Sequence, residues 1–102
     1  MTILHLIRSS AFSNNDLEQC IHNIEDSDSV VLLDDGCYNI NHPLMNKLQE
    51  KISMINLYIL RKHAQARGIN IDDFTSKDVF NSITMEELVG MTFSNDSVVT
   101  WQ

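Results

Sequence analysis

The residues best placed to do chemistry lie together at Asp34-Asp35-Gly36-Cys37-Tyr38, where two acids, a thiol and a phenol follow a run of apolar residues. Asp34 and Asp35 could act as acid or base or hold a cation, but such a pair also serves to solvate a strand end and open a turn. Asp35, Gly36, Cys37 and Tyr38 together form a candidate binding edge. Cys37, behind a glycine in a turn, reads as the better candidate for an exposed thiol; the alternative is a loop cysteine that is merely tolerated. The second thiol, Cys20, falls on an apolar stripe and reads as a small buried hydrophobe, with no group near it in sequence to lower its pKa. His5, His22, His42 and His63 are scattered and no two share a helical i, i+4 spacing. No metal site and no cofactor is expected from such a pattern.

The elements around this edge alternate between strands and helices. Residues 30–33 are four consecutive apolar residues, the mark of a strand covered on both faces, and residues 2–7 read as an interior first strand. Between them a helix capped by Asn14 or Asn15 runs to about Asp26, with Leu17, Cys20, Ile21 and Ile24 on one face. Asn41 is the expected cap of a second helix with Pro43 in its first turn. Residues 54–60 form a third strand, and 62–67 a short helix closed by Gly68 in a left-handed cap. Residues 69–75 are a connection, and 79–83 a short fourth strand. Thr84 with Glu87 three residues later begins a helix as a capping box, and residues 98–101 form a last strand. The expected fold is therefore α/β: a three-layer sandwich around a mostly parallel sheet of about five strands. In such sheets, functional groups collect beyond the carboxyl ends of the strands, which is where the Asp34 edge falls.

A chain of 102 residues that is 43% hydrophobic, with one proline and three glycines, fits one globular domain. Its apolar runs are too short to cross a bilayer, and its first residues lack the features of a secretory signal, so a cytoplasmic protein with two free thiols is expected. The net charge of −7 argues against direct nucleic-acid binding. Lys47, Lys51, Arg61, Lys62 and Arg67 hold five of the seven cations; they make either a solvated helix face or a docking edge for an acidic subunit. No Gly-rich phosphate loop follows the first strand, there is no nucleophile elbow, and the acids do not sit where phospho-acceptor receiver domains place theirs.

Several segments, in their order and spacing, carry a resemblance across nearly the whole chain. They are Ile3-Leu4-His5; Ser10 with Phe12; Leu17-Glu18-x-Cys20; Val31-Leu32-Leu33-x-Asp35-Gly36-x-Tyr38; Leu57-Tyr58-x-Leu60; Ala66-Arg67-Gly68; and the late Trp101. In these the chain resembles the DsrH/TusB family. It departs from the family's first loop, where Arg8 is displaced relative to Ser10 and Ala11 stands in place of a proline. The resemblance implies a compact parallel α/β fold like that of the DsrEFH proteins. It also implies assembly into a heterohexamer with two homologous subunits, one like TusC/DsrF and one like TusD/DsrE. In the TusB branch that assembly passes persulfide sulfur, between donor and acceptor proteins, toward 2-thiouridine at the tRNA wobble position. In the DsrH branch it serves sulfur oxidation. The family's principal persulfide cysteine lies in another subunit, which implies an accessory role here rather than an enzyme in its own right. Cys20 matches a cysteine of DsrH-type members and is the candidate persulfide carrier of this chain; Cys37 has no counterpart in the family. Outside the resemblance, a free-standing module binding a small ligand at the Asp34 edge is the remaining alternative.

Overall fold

In a computed structural model, which describes residues 2–52, 56–70 and 81–101, the chain alternates strands and helices as its pattern requires. The elements are β1 (Ile3–Ile7), α1 (Asp16–Asn23), β2 (Ser29–Leu32), a 3-10 segment (Asp34–Asn41), α2 (Leu44–Lys51), β3 (Leu57–Leu60), α3 (Arg61–Ala66), β4 (Asn81–Ile83), α4 (Met85–Ser94) and β5 (Ser97–Trp101). All five strands are parallel, in the order β4-β3-β2-β1-β5. The sandwich expected from the alternation is the fold observed. Of the weaker elements, β4 exists at Asn81–Ile83, while the expected residues 79 and 80, like 54–55 of the third strand and 71–75 of the connection, lie outside the described residues.

The sheet is interior because β2 and β3 are apolar on both sides: Val30, Val31, Leu32, Leu57 and Ile59 are all fully buried. One face packs Ile7, Val30 and Leu32 against Leu17, Cys20 and Ile21 of α1 and Met45 and Leu48 of α2. The other packs Leu4, Val31, Leu60 and Ile83 against Leu88 of α4. Burial of this kind contributes about 25 cal/mol per Å² of apolar surface, which makes the two faces the main stabilising term.

Local chemistry sets the helix ends. Thr84 Oγ1 accepts the Glu87 N–H at 3.2 Å while Glu87 Oε1 accepts the Thr84 N–H at 3.1 Å, completing the expected capping box. Gly68 has φ +74°, and Ile69 N–H donates to Ala64 O at 3.0 Å, closing α3 as a left-handed cap. Two expectations shift. α1 ends at Asn23 rather than near Asp26, because the Asp28 carboxylate takes the Glu25 N–H at 3.1 Å and turns the chain into β2. Asn41 does not cap α2; the residue before that helix is Pro43, and His42 Nδ1 accepts the Leu44 N–H at 3.1 Å instead.

A buried polar network ties the sheet's amino-terminal side to its edge. Asp28, fully buried, accepts the Ile3 N–H at 3.1 Å and His5 Nε2–H at 3.0 Å. Trp101 Nε1–H of β5 donates to His5 Nδ1 at 3.1 Å. Both imidazole nitrogens are thus satisfied by a neutral ring carrying its proton on Nε2. Burial opposes the Asp28 charge, but the bonds from His5 and from two backbone N–H groups outweigh it and hold the carboxyl below its usual pKa.

Candidate functional site

The carboxyl ends of β1, β2 and β3 bring together Arg8, Asp34, Asp35, His63 and Arg67. Each follows a strand: Arg8 directly after β1, the two acids just beyond β2, and His63 and Arg67 on or just past the helix that leaves β3. Arg8 Nε–H donates to Asp34 Oδ2 at 2.7 Å. The Asp34 N–H donates to His63 Nδ1 at 2.9 Å. That nitrogen is therefore an acceptor, and its 3.4 Å approach to Asp34 Oδ1 is not an ion pair while the ring is neutral. Arg67 Nε–H donates to Asp35 Oδ1 at 3.0 Å, and its terminal nitrogen donates to the His63 carbonyl at 3.1 Å. Asp34 sits at φ +49°, a conformation that Asp tolerates better than most L residues and that the bonds from Arg8 and to His63 hold in place.

Beneath these charges the 3-10 segment presses against the end of β1. A Cβ on Gly36 would stand 1.9 Å from the Ile7 carbonyl oxygen, so only glycine fits. The Leu33 N–H bonds the same oxygen at 3.0 Å. Asn39, fully buried, accepts the Ala11 N–H at 2.6 Å and donates to Ser9 O at 3.1 Å, pinning the loop after β1 onto the segment. What reads in sequence as a turn is therefore an eight-residue 3-10 segment clamped at Gly36 and Asn39.

This clamp corrects one expectation. Cys37 is not exposed; it is fully buried, with Sγ–H donating to Leu32 O at 3.7 Å. The turn of 3-10 helix rotates it inward, while Tyr38 remains 41% exposed. Burial pushes the Cys37 thiol up to about 12, with Asp34 and Asp35 adding to the rise and Arg67 opposing it. Cys20 is fully buried on α1, as its stripe implies, and burial, followed by the Asp28 charge, pushes it too up to about 12. The two thiols share one core, but Cys20 feels Asp28 before β2 and Cys37 feels the charges after it. At neutral pH both are thiols rather than thiolates, and a thiol is a poor nucleophile.

Of the candidate residues, Asp35, Gly36 and Tyr38 do meet at one edge with Cys37 beneath them. The sequence reading does not place Arg8, His63 or Arg67 at this edge although a signal exists, since each lies just past a strand on the functional side of a parallel sheet. Four of the five clustered cations have specific surroundings. Arg67 is bound to Asp35, Arg61 donates to Ser82 Oγ at 2.6 Å, and Lys47 and Lys51 line a groove of about 240 Å³ between α1 and α2 together with Glu18 and Glu50. Among the described residues no group of three or more His, Cys, Asp or Glu side chains could hold a metal ion, and no buried side-chain polar atom lacks a partner. Among those residues no helix is long and apolar enough to cross a membrane. The edge is a set of paired charges over the buried Cys37 thiol.

Compared with known proteins, the chain matches the family described as DsrH like protein over residues 9–98. No curated protein matches it.

Proposed function

Because the chain belongs to the DsrH-like family, and so to the subunits of sulfur-relay assemblies, we propose that it is the accessory member of a heterohexamer that passes persulfide sulfur toward 2-thiouridine at the tRNA wobble position. Its companions are homologous TusC/DsrF-like and TusD/DsrE-like chains in the cytoplasm, and the sulfur travels on their cysteines. The observation that carries this reading is the state of the chain's own thiols. Cys20 and Cys37 are both fully buried and both pushed up to about 12, so neither is poised to take or give sulfur. The strand-end charges, paired among themselves, support a surface that holds its shape for a neighbour rather than one that turns over a substrate.

The alternative, a DsrH-type subunit of sulfur oxidation with Cys20 as persulfide carrier, needs α1 to lift from the sheet before a donor could reach the sulfur. A free-standing binding module has less support still, since Asp34 and Asp35 are each paired with an arginine of this chain.

The test is made in the native host by nucleoside mass spectrometry of total tRNA. Deletion of the gene lowers 2-thiouridine, and both the native chain and a Cys20→Ala/Cys37→Ala variant restore it. Unchanged thiolation in the deletion strain overturns the tRNA assignment. Failure of a stably folded double variant to restore thiolation overturns the accessory role.

A further inference from the structure

α4 carries a second face that the fold leaves uncovered. Leu88 is buried and Met91 half-buried against the sheet, whereas Met85, Val89 and Phe93 are 49%, 50% and 84% exposed. These three follow at i, i+4 and i+8, which sets them in one stripe along the helix. Gly90 lies beside that stripe. Among the described residues a Cβ there would meet nothing within 4 Å, so neither a close contact with them nor a special backbone angle calls for glycine. Glycine weakens a helix interior relative to alanine. Its presence on an open helix face leaves room for a backbone from outside to approach.

A further exposed apolar residue lies at the sheet edge. Val98 of β5 is 40% exposed and pairs in register with Leu4, whose side chain belongs to the core beneath α4. Val98 therefore lies on the α4 side of the sheet, and β5 is the outermost strand there. Large apolar side chains exposed along one helix face mark interaction surfaces.

The charges around the patch select its occupant. Residues 81–101 contain Glu86, Glu87 and Asp96 and no Lys, Arg or His. A second copy of this chain seated on the patch would bring like charges together, whereas a patch ringed by Lys and Arg would meet opposite ones. We infer that the α4–β5 face, centred on Phe93 and Gly90, docks a different protein chain through an apolar patch with a basic rim. This rests on the subunit reading above and names the surface through which it operates.

The experiment places the photo-cross-linker p-benzoylphenylalanine at position 93 of the full chain, co-expressed with its two companion subunits, and identifies cross-linked peptides by mass spectrometry. The expected product joins position 93 to an apolar segment of a companion chain flanked by Lys or Arg. Gly90→Leu, whose added Cβ meets none of the described residues within 4 Å, lowers its yield at least tenfold, as does high salt, while circular dichroism of the variant is unchanged. Gly90→Ala, the smaller change, lowers the yield less. A cross-link to a second copy of the chain overturns the inference. So does an intact complex with no cross-link at position 93, or one indifferent to Gly90→Leu; the subunit reading then survives and this surface does not. Absence of any complex overturns both.

Discussion

Gly36→Ala is the sharpest test of how the strand-end edge is built. The new methyl would lie 1.9 Å from the Ile7 carbonyl oxygen and 2.7 Å from its carbon. Both are backbone atoms at the end of an interior strand, so no side chain can swing away to make room. The 3-10 segment must lift off β1 instead. Lifting it threatens the Leu33 N–H bond to the same oxygen and the Asn39 bonds to Ala11 and Ser9. Forcing extra bulk into a packed site costs roughly 1–3 kcal/mol. One lost backbone hydrogen bond adds about 1 kcal/mol. The variant should therefore lose about 2–4 kcal/mol, set against a total of roughly 5–15 kcal/mol for a domain of ordinary stability. Urea unfolding followed by circular dichroism measures the change as a lower midpoint with an unaltered slope. A loss below about 0.5 kcal/mol, the range of a neutral surface substitution, would refute the claim that the segment is clamped on β1.

Two further outcomes follow from the buried ionisable groups. Cys20 and Cys37 should resist iodoacetamide in the folded protein at pH 8 and react only on unfolding; the rise from 9.0 to about 12 alone slows each by roughly a thousandfold through the smaller thiolate fraction. Their shifts also set an alkaline limit. Folded pKa values raised above the unfolded value mean that the contribution is complete below about pH 9 and is lost as pH climbs from 9 toward 12; denaturant titrations of the wild type and of Cys20→Ala/Cys37→Ala should diverge less in that window than at pH 7. At the acid end, Asp28 is held below its ordinary value of 3.8. Its contribution is present above that pH and fades as pH falls through the lower folded value. Asp28→Asn should cost about 3–5 kcal/mol at pH 7 because His5 and two backbone N–H groups lose a charged acceptor, and a variant with wild-type unfolding midpoints at pH 7 would contradict the network.

Much of this structure could be read from local pattern. Residues 30–33 announce an interior strand because β2 is covered on both faces, and Thr84-x-x-Glu87 and Gly68 mark helix ends because capping is decided within one turn of chain. Asp-Asp-Gly reads as an open turn, which makes Cys37 the better candidate for an exposed thiol. The 3-10 geometry that buries it depends on Gly36 meeting Ile7 and on Asn39 bonding Ser9 and Ala11, residues about 30 positions away that no local window contains. The site shows the same division. Asp34 and Asp35 are visible as an acidic pair, but their partners Arg8, His63 and Arg67 come from three different points of the chain and meet only when β1, β2 and β3 align. The exposed stripe of α4 is likewise ambiguous in sequence, since Met85, Val89 and Phe93 have the spacing of a buried face and only the fold shows which side Leu88 takes.

The proposed role is that of one subunit among homologous companions. Native mass spectrometry of the affinity-tagged chain, purified from the native host without denaturant, tests it most directly. The expected result is a single assembly holding two copies each of three different chains, this one among them. A lone polypeptide at the mass of this chain, or an assembly built only of its own copies, would contradict it.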